Sequence, residues 1–315
     1  MPSLYHSMGE TMSSVDLQKT IQQLKQEHHA IILAHNYQLP EVQDCADIVG
    51  DSLELALQAT KTDANYIVFC GVDFMAESAK ILNPTKPVLF PDLTAECPMA
   101  CMADPQGIRT LQQKHPNAAV VSYINTTAEV KAVSDVCCTS SNGAKVVNSI
   151  EENEIIFVPD QHLGSYVQRF TTKTMILWPG MCPTHHKISK QELLALKRTH
   201  ANAEILVHPE CKAEVIDIAD HTFSTNGMVN HVKASSTMEF IIGTEKELCY
   251  RLQQENPNKK IFPVHSAICP NMKKITLEKV ATTLQTLKPE VKLSPDLMKK
   301  ARIPLQRMMD IGRGD

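Results

Sequence analysis

Three of the ten cysteines are followed by proline: Cys97, Cys182 and Cys269, separated by 85 and 87 positions (182 − 97 and 269 − 182). With 18 prolines in 315 residues, chance supplies only about 0.6 such pairs. Each pair closes an apolar run that itself contains proline: PVLFPDLTAEC, MILWPGMC and KIFPVHSAIC. Even spacing within a repeated frame predicts a chain built three times, with one thiol from each copy meeting at a common centre. Thiolates bind metals, and iron–sulfur cubes are usually held by four cysteines; with three, one iron keeps an exchangeable position and acts as a Lewis acid. Zinc held by three cysteines and His185 is an alternative, although structural zinc usually draws paired ligands from short knuckles. Cysteines that are merely small core residues are the third reading.

Other residues suited to chemistry fall where apolar runs end. His35, Asn36 and Tyr37 follow one run, Tyr123 and Asn125 another, and His208 and Glu210 a third. A tyrosine acts as a general acid, or as a base once a carboxylate helps it. Hydroxyl-rich turns at Ser52, Ser140, Ser141, Ser224 and Thr225 precede helical patterns. Free N–H groups at helix starts bind phosphate, but the same residues also serve as ordinary caps. Cys45, Cys70, Cys137, Cys138 and Cys249 read as core residues, and Cys211 receives no role. CPMAC leaves Cys101 as a rival to Cys97, and the repeat frame favours Cys97.

The elements that must position these groups recur in the same order. The runs AIILAHNY, AVVSYINT and AEILVHPE align, followed by Glu41, Glu129 and Glu214, then by Asp47, Asp135 and Asp220. A second set, YIVFCG, EIIFVPD and MEFIIG, comes after the hydroxyl turns. Strands alternating with helices predict βαβ units and parallel sheets, and runs that are apolar throughout suit strands covered on both faces. The expected fold is α/β: three homologous αβα sandwich domains with four-stranded parallel sheets around a pseudo-threefold axis. Their expected bounds are 1–100, including an N-terminal helix, then 101–185 and 186–272, with a C-terminal helical extension over 273–315. Ligands of parallel α/β sheets bind beyond the carboxyl ends of the strands, so three such edges turned inward would enclose one cavity.

A net charge of −4 and 43% hydrophobic residues describe a globular chain without a basic tract for nucleic acid. No leader pattern opens it and no apolar stretch approaches a membrane span. Ten cysteines in that setting point to the reducing cytoplasm.

The chain resembles quinolinate synthase, the iron–sulfur enzyme family of NAD biosynthesis. AHNYQ, GDSLELA, GVDFMAESAKILNP, AEC, SYINTTAEVKA, SDVCCTSSN, PDQHLG, WPGMC, LVHPEC and CPNM carry the resemblance over nearly the whole length. It implies a central [4Fe–4S] cluster on Cys97, Cys182 and Cys269 with an open fourth iron site. It also implies condensation of iminoaspartate with dihydroxyacetone phosphate, losing phosphate and two waters, to give quinolinate. His35 and Tyr37 match the family's substrate-handling pair, with Tyr37 assisted by Glu210 for proton transfer. Tyr123 and Asn125 match positions that contact substrate, and Tyr123 is the candidate for late acid–base work. His208 and Glu210 match the HPE motif, and Ser52, Ser140 and Thr225 match hydroxyl positions that grip phosphate or carboxylate. The expected partners are the two substrates and, transiently, the enzyme that supplies iminoaspartate; neither nucleic acid nor membrane is expected. Two departures stand out. VHSAIC lacks the C-x-x-C-x-x-C of some members, which removes a disulfide switch, and PDQHLG lacks the lysine of P-D-K-x-L-G. A reductive dehydratase of isoprenoid synthesis, an iron or redox sensor and a plain metabolite-binding protein are the competing readings.

Overall fold

The computed structural model describes residues 13–314. Residues 1–12 of the first expected domain, and with them much of the reading that no leader opens the chain, lie outside the described residues.

Among the described residues, twelve strands form three parallel sheets of four. The first contains β1 (Ala30–His35), β2 (Ile48–Gly50), β3 (Tyr66–Cys70) and β4 (Val88–Leu89), in the order β2-β1-β3-β4. The second contains β5 (Ala118–Tyr123), β6 (Val136–Cys138), β7 (Glu154–Val158) and β8 (Thr174–Leu177), ordered β6-β5-β7-β8. The third contains β9 (Glu204–Val207), β10 (His221–Thr222), β11 (Glu239–Gly243) and β12 (Lys260–Pro263), ordered β10-β9-β11-β12. The three orders are the same, as a threefold repeat requires. Every pairing within the sheets is parallel.

The aspartates that mark the repeat perform one job three times. Asp47, Asp135 and Asp220 each accept from a backbone N–H fifteen residues earlier, those of Ile32, Val120 and Ile205, all at 2.8 Å. The backbone N–H of each aspartate returns a bond to the carbonyl of the same residue. A side chain thus satisfies a strand group at the point where the next strand joins.

Burial on both faces explains the uninterrupted apolar runs. Along β5, Ala119, Val121 and Tyr123 join the large central core, whereas Val120 joins a separate cluster with Ile108, Ile156 and Val158. Along β11, Phe240 and Ile242 face the central core and Ile241 packs with Ile188, Leu193 and Val264. Helices linking the copies start on capping residues. Asp104, Ser189 and Thr276 accept from Gly107, Glu192 and Lys279 N–H groups at 2.9, 3.2 and 3.4 Å. Each cap stabilises its helix by about 1 kcal/mol.

After β12 the chain returns to the earlier units. The helix Leu277–Thr286 packs on Ser14–His28, and Pro295–Ile311 lies against Ala128–Lys131, β6 and Asp73–Leu82. Between these helices, Phe90 N–H donates to Pro289 O and Val291 N–H to Val88 O, at 3.0 and 2.8 Å. The outer edge of the two-residue strand β4 is covered in this way.

Candidate active site and metal centre

The carboxyl ends of all three sheets open on one cavity of about 150 Å³. From the first unit it receives His35, Tyr37, Ser52 and Cys97; from the second, Tyr123, Asn125, Ser140 and Cys182; from the third, His208, Glu210, Thr225 and Cys269. These twelve expected site residues therefore line one space, whereas Asn36, Ser141 and Ser224, singled out beside them, do not line it. Bonds between units fix this edge. Arg251 donates to Asn36 Oδ1 and Val49 O at 2.7 and 2.8 Å, and Lys273 donates to Tyr37 O at 2.7 Å.

The cysteine loops share an anchor that sequence reading missed. Cys97 N–H donates to Asp73 Oδ1 (2.9 Å), Cys182 N–H to Asp160 Oδ2 (3.3 Å) and Cys269 N–H to Glu245 Oε1 (3.2 Å). Each carboxylate follows the third strand of its sheet, so the signal was present in FCGVD, FVPD and IIGTE. Lys273 pairs with buried Glu245 at 2.9 Å, and Asp160 also accepts from His162 and Leu163 N–H groups at 2.7 and 3.1 Å. Cys101 is exposed and away from the cavity. Cys45, Cys70, Cys137 and Cys138 are buried in the central core, Cys249 packs at its margin, and Cys211 is buried in the outer core of the third unit.

Burial pushes the thiols of Cys97, Cys182 and Cys269 upward, and nearby carboxylates (Asp73, Glu210 and Glu245 respectively) add to that shift. Thiols that the protein itself makes hard to ionise require an external cation to become ligands. Three of them from three units on one cavity fit a thiolate-bound metal group. A second candidate donor set overlaps it: ligand atoms of Cys182, His185 and Glu210 lie within 4.8 Å of one another.

His185 had been considered only as a zinc ligand. It instead stands at the middle of a polar chain, with Nδ1 2.6 Å from Glu210 Oε2 and 3.2 Å from Cys182 Sγ. Its Nε2 lies 2.8 Å from Thr244 Oγ1 and 3.4 Å from the Tyr37 hydroxyl, which itself meets Thr244 Oγ1 at 2.5 Å. The expected Tyr37–Glu210 partnership therefore runs through His185. Asn125 Nδ2 donates to Glu210 Oε1 at 3.5 Å, and Tyr123 stands close enough to help lower the same carboxyl. Burial alone would raise the Glu210 carboxyl, but His185, His208 and Tyr123 outweigh it and hold it below its usual range. Burial, reinforced by the Glu210 charge, raises both tyrosine hydroxyls, so they stay protonated.

His35 and His208 repeat one arrangement. His35 Nδ1 accepts from Tyr37 N–H at 3.2 Å, and His208 Nδ1 from Glu210 N–H at 3.3 Å. Each imidazole therefore carries its proton on Nε2, and His208 Nε2 donates to Ser140 Oγ across 3.2 Å. Burial lowers both histidines to about 3 against the opposing pull of Glu210, which keeps them neutral.

The hydroxyl turns differ between copies. Ser224 is a true cap, accepting from Gly227 N–H at 3.1 Å, with Thr225 the first residue of the helix Thr225–Ala234. In the first copy the cap is Asp51, which accepts from Glu54 N–H at 2.9 Å, and Ser52 opens the helix. In the second copy the helix starts only at Gly143, so Ser140 lies in the preceding turn. Asn125 Oδ1 is buried without a hydrogen-bond partner among the described residues. On the wall of a cavity, such an atom suits a ligand donor.

The family model described as "Quinolinate synthetase A protein" matches residues 19–310. A quinolinate synthase of Thermodesulfovibrio yellowstonii is 51% identical over 290 residues, covering 91% of this chain and 96% of that protein. One from a Geobacter species is 48% identical, covering 96% and 100%, and quinolinate synthase 1 of Methanosarcina acetivorans is 46% identical, covering 95% and 99%. Three equivalent sheets, a cysteine from each on a shared cavity, and these similarities along almost the full length agree: the chain belongs to the quinolinate synthase family.

Proposed function

We propose that this chain joins iminoaspartate to dihydroxyacetone phosphate, with loss of phosphate and two waters, to form quinolinate. The observation that carries the reading is the convergence of Cys97, Cys182 and Cys269 with the Tyr37–His185–Glu210–Tyr123 chain on one cavity. Cys97, Cys182 and Cys269 would hold a [4Fe–4S] cluster. When bound through three thiolates, such a cluster supplies an open Lewis-acidic iron for carboxylate or hydroxyl oxygens.

The protein's own groups supply the rest. Neutral His35 offers an Nε2–H donor to carbonyl or carboxylate oxygens without adding charge, and His208 does so on exchanging its bond to Ser140 Oγ. The helices Ser52–Lys61 and Thr225–Ala234 turn their N-termini and the hydroxyls of Ser52 and Thr225 toward the cavity, where a phosphate monoester finds N–H donors and a favourable dipole. A proton exchanged at the Tyr37 hydroxyl passes to His185 Nε2, and Glu210 stabilises the imidazolium through Nδ1. Tyr123, which also interacts with that carboxylate, serves a second proton position, so one anion supports two tyrosines. Buried Asn125 Oδ1 accepts from an amine or hydroxyl of the bound substrate.

Anaerobically purified protein supplied with iminoaspartate and dihydroxyacetone phosphate, and no reductant, is expected to release quinolinate and phosphate in equal amounts. Iron-replete protein that makes no quinolinate under those conditions overturns the reading, and turnover only with added electrons favours a reductive dehydratase. Metal analysis separates zinc, whether on the three cysteines with His185 or on Cys182, His185 and Glu210, from an iron centre. Among the described residues no helix is long and apolar enough to cross a membrane. The ten free cysteines suit a reducing cytoplasm, where the chain would receive iminoaspartate from its source enzyme in a transient encounter.

A further inference from the structure

A second constellation of metal-binding side chains lies on the third unit. Glu204 begins β9, His221 begins the neighbouring strand β10, and His231 occupies the last turn of the helix Thr225–Ala234. One carboxylate oxygen and one nitrogen from each histidine lie within 4.8 Å of one another. We propose that Glu204, His221 and His231 form a binding site for a divalent metal of the zinc class, separate from the cysteine-lined cavity.

Each side chain is already oriented. His231 Nε2 lies 2.8 Å from Glu204 Oε2, and the other carboxylate oxygen accepts from the Thr237 hydroxyl, a partner of the kind that fixes metal-bound carboxylates. The His221 ring stands 4.5 Å from that of His231, with Phe223 stacked on it at 5.4 Å, and Phe240 meets His231 edge-on at 6.2 Å. Metal–nitrogen and metal–oxygen bonds of about 2.1 Å place tetrahedral ligands about 3.4 Å apart. The Glu204–His231 contact of 2.8 Å is a hydrogen bond that a metal would replace, opening the pair by about 0.6 Å. His221, which is exposed and leaves a path from solvent, rotates in to complete the set. Two imidazoles and one carboxylate suit zinc, cobalt or nickel; calcium and magnesium prefer all-oxygen shells. Burial works against the Glu204 charge, but His231 and Thr237 outweigh it and keep the carboxyl below its usual value, ready to ligate.

The position gives the metal a structural consequence. The helix ending near His231 begins at Thr225 on the cavity wall, where Asn36 Nδ2 donates to Thr225 Oγ1 at 2.8 Å. A metal bridging the end of that helix to β9 and β10 fixes its axis against the sheet, and with it the placement of Thr225.

Zinc titrated calorimetrically into anaerobic, cluster-loaded protein is expected to bind at one ion per chain with micromolar or tighter affinity. His221→Ala, on an exposed edge strand, is expected to keep the wild-type melting temperature and weaken that binding by about tenfold or more. His231→Gln and Glu204→Gln are expected to weaken it similarly. Cobalt in place of zinc should give visible ligand-field bands without a thiolate-to-metal charge-transfer band. Absence of zinc binding, unchanged affinity in His221→Ala, or a thiolate band that places the metal on the cysteines would each overturn the site. Quinolinate formation is not a readout of these measurements, so they are independent of the proposed reaction.

Discussion

The backbone N–H of Cys182 donates to Oδ2 of Asp160 across 3.3 Å, and the other two units repeat the contact with Asp73 and Glu245. The sequence separations are 22, 24 and 24 residues. A loop carrying a metal ligand must hold its thiol in place before the metal arrives, and a buried carboxylate provides that hold without competing for the sulfur. Asp160 also caps the helix Gln161–Gln168, so the cysteine loop is tied to a rigid element.

Replacing Asp160 by alanine removes the acceptor for three N–H groups that are buried or partly buried. The expected destabilisation is about 1–3 kcal/mol, together with reduced iron and sulfide per chain after anaerobic purification. Asp160→Asn keeps one oxygen for the His162 and Leu163 N–H groups but sets an amide N–H₂ against Cys182 N–H, so it is expected to retain more stability than the alanine variant and still to lose iron. Equal iron content in the alanine variant would show that the contact does not position Cys182.

The repeat was legible in sequence because it rests on features visible one residue at a time. Asp47, Asp135 and Asp220 stood in register, and apolar runs that never alternate announced sheets covered on both faces. The carboxylates Asp73, Asp160 and Glu245 were equally in register, but a mixed Asp/Asp/Glu set before three dissimilar helices does not attract notice without the cysteine amides they hold. His185 was out of reach for a different reason. Its partners Tyr37, Thr244 and Glu210 come from distant strand ends, so its role depends on closure of the three units, which spacing does not encode.

Cys97→Ala, Cys182→Ala and Cys269→Ala should each abolish retention of the proposed cluster, because a cube held by three thiolates has no ligand to spare. Cys101→Ala and Cys249→Ala should keep wild-type iron and sulfide, since both lie away from the cavity lining. Normal iron in any of the first three variants would remove that residue from the ligand set.

Gly180 offers a way to move the proposed ligand Cys182 without changing it. A Cβ there would come within 2.5 Å of the Pro159 carbonyl oxygen, a backbone atom, while Gly180 O accepts from Gln161 N–H at 2.9 Å. Gly180→Ala is therefore expected to displace the loop that leads to Cys182, costing about 1–3 kcal/mol. Its melting temperature and iron content should both fall, whereas Gly312→Ala, with nothing within 4 Å but a φ of +73°, should lower the melting temperature through backbone strain and hold its iron.

The neutral histidines set an acid limit on stability. His208 is held at about 3 in the folded chain against an ordinary value of about 6.5. Between those values the unfolded state binds the extra proton, so stability contributed by this residue is complete above pH ~6.5 and falls as pH drops toward ~3. At pH ~5 the loss is about 2 kcal/mol, and His35 behaves the same way. Anaerobic urea unfolding at pH ~7 and ~5 should show His208→Gln losing about 2 kcal/mol less than wild type over that interval. An identical pH dependence would mean that His208 is charged or solvated in the folded chain.

The hydroxyls on the cavity wall should separate phosphate binding from proton transfer. Ser52 and Thr225 open helices whose N-termini face the cavity, whereas Tyr37 and Tyr123 belong to the Glu210 network. A hydrogen bond to a charged phosphate contributes about 1.5–3 kcal/mol, so Ser52→Ala and Thr225→Val should each raise KM for dihydroxyacetone phosphate by about 10- to 100-fold and weaken inhibition by inorganic phosphate similarly. Tyr123→Phe leaves the phosphate end untouched, so it should lower kcat by about 10²–10⁴ with little change in that KM. A fall in kcat for all three with unchanged KM would place the phosphate elsewhere in the cavity and leave the serine and threonine as first-turn residues of helices capped by Asp51 and Ser224.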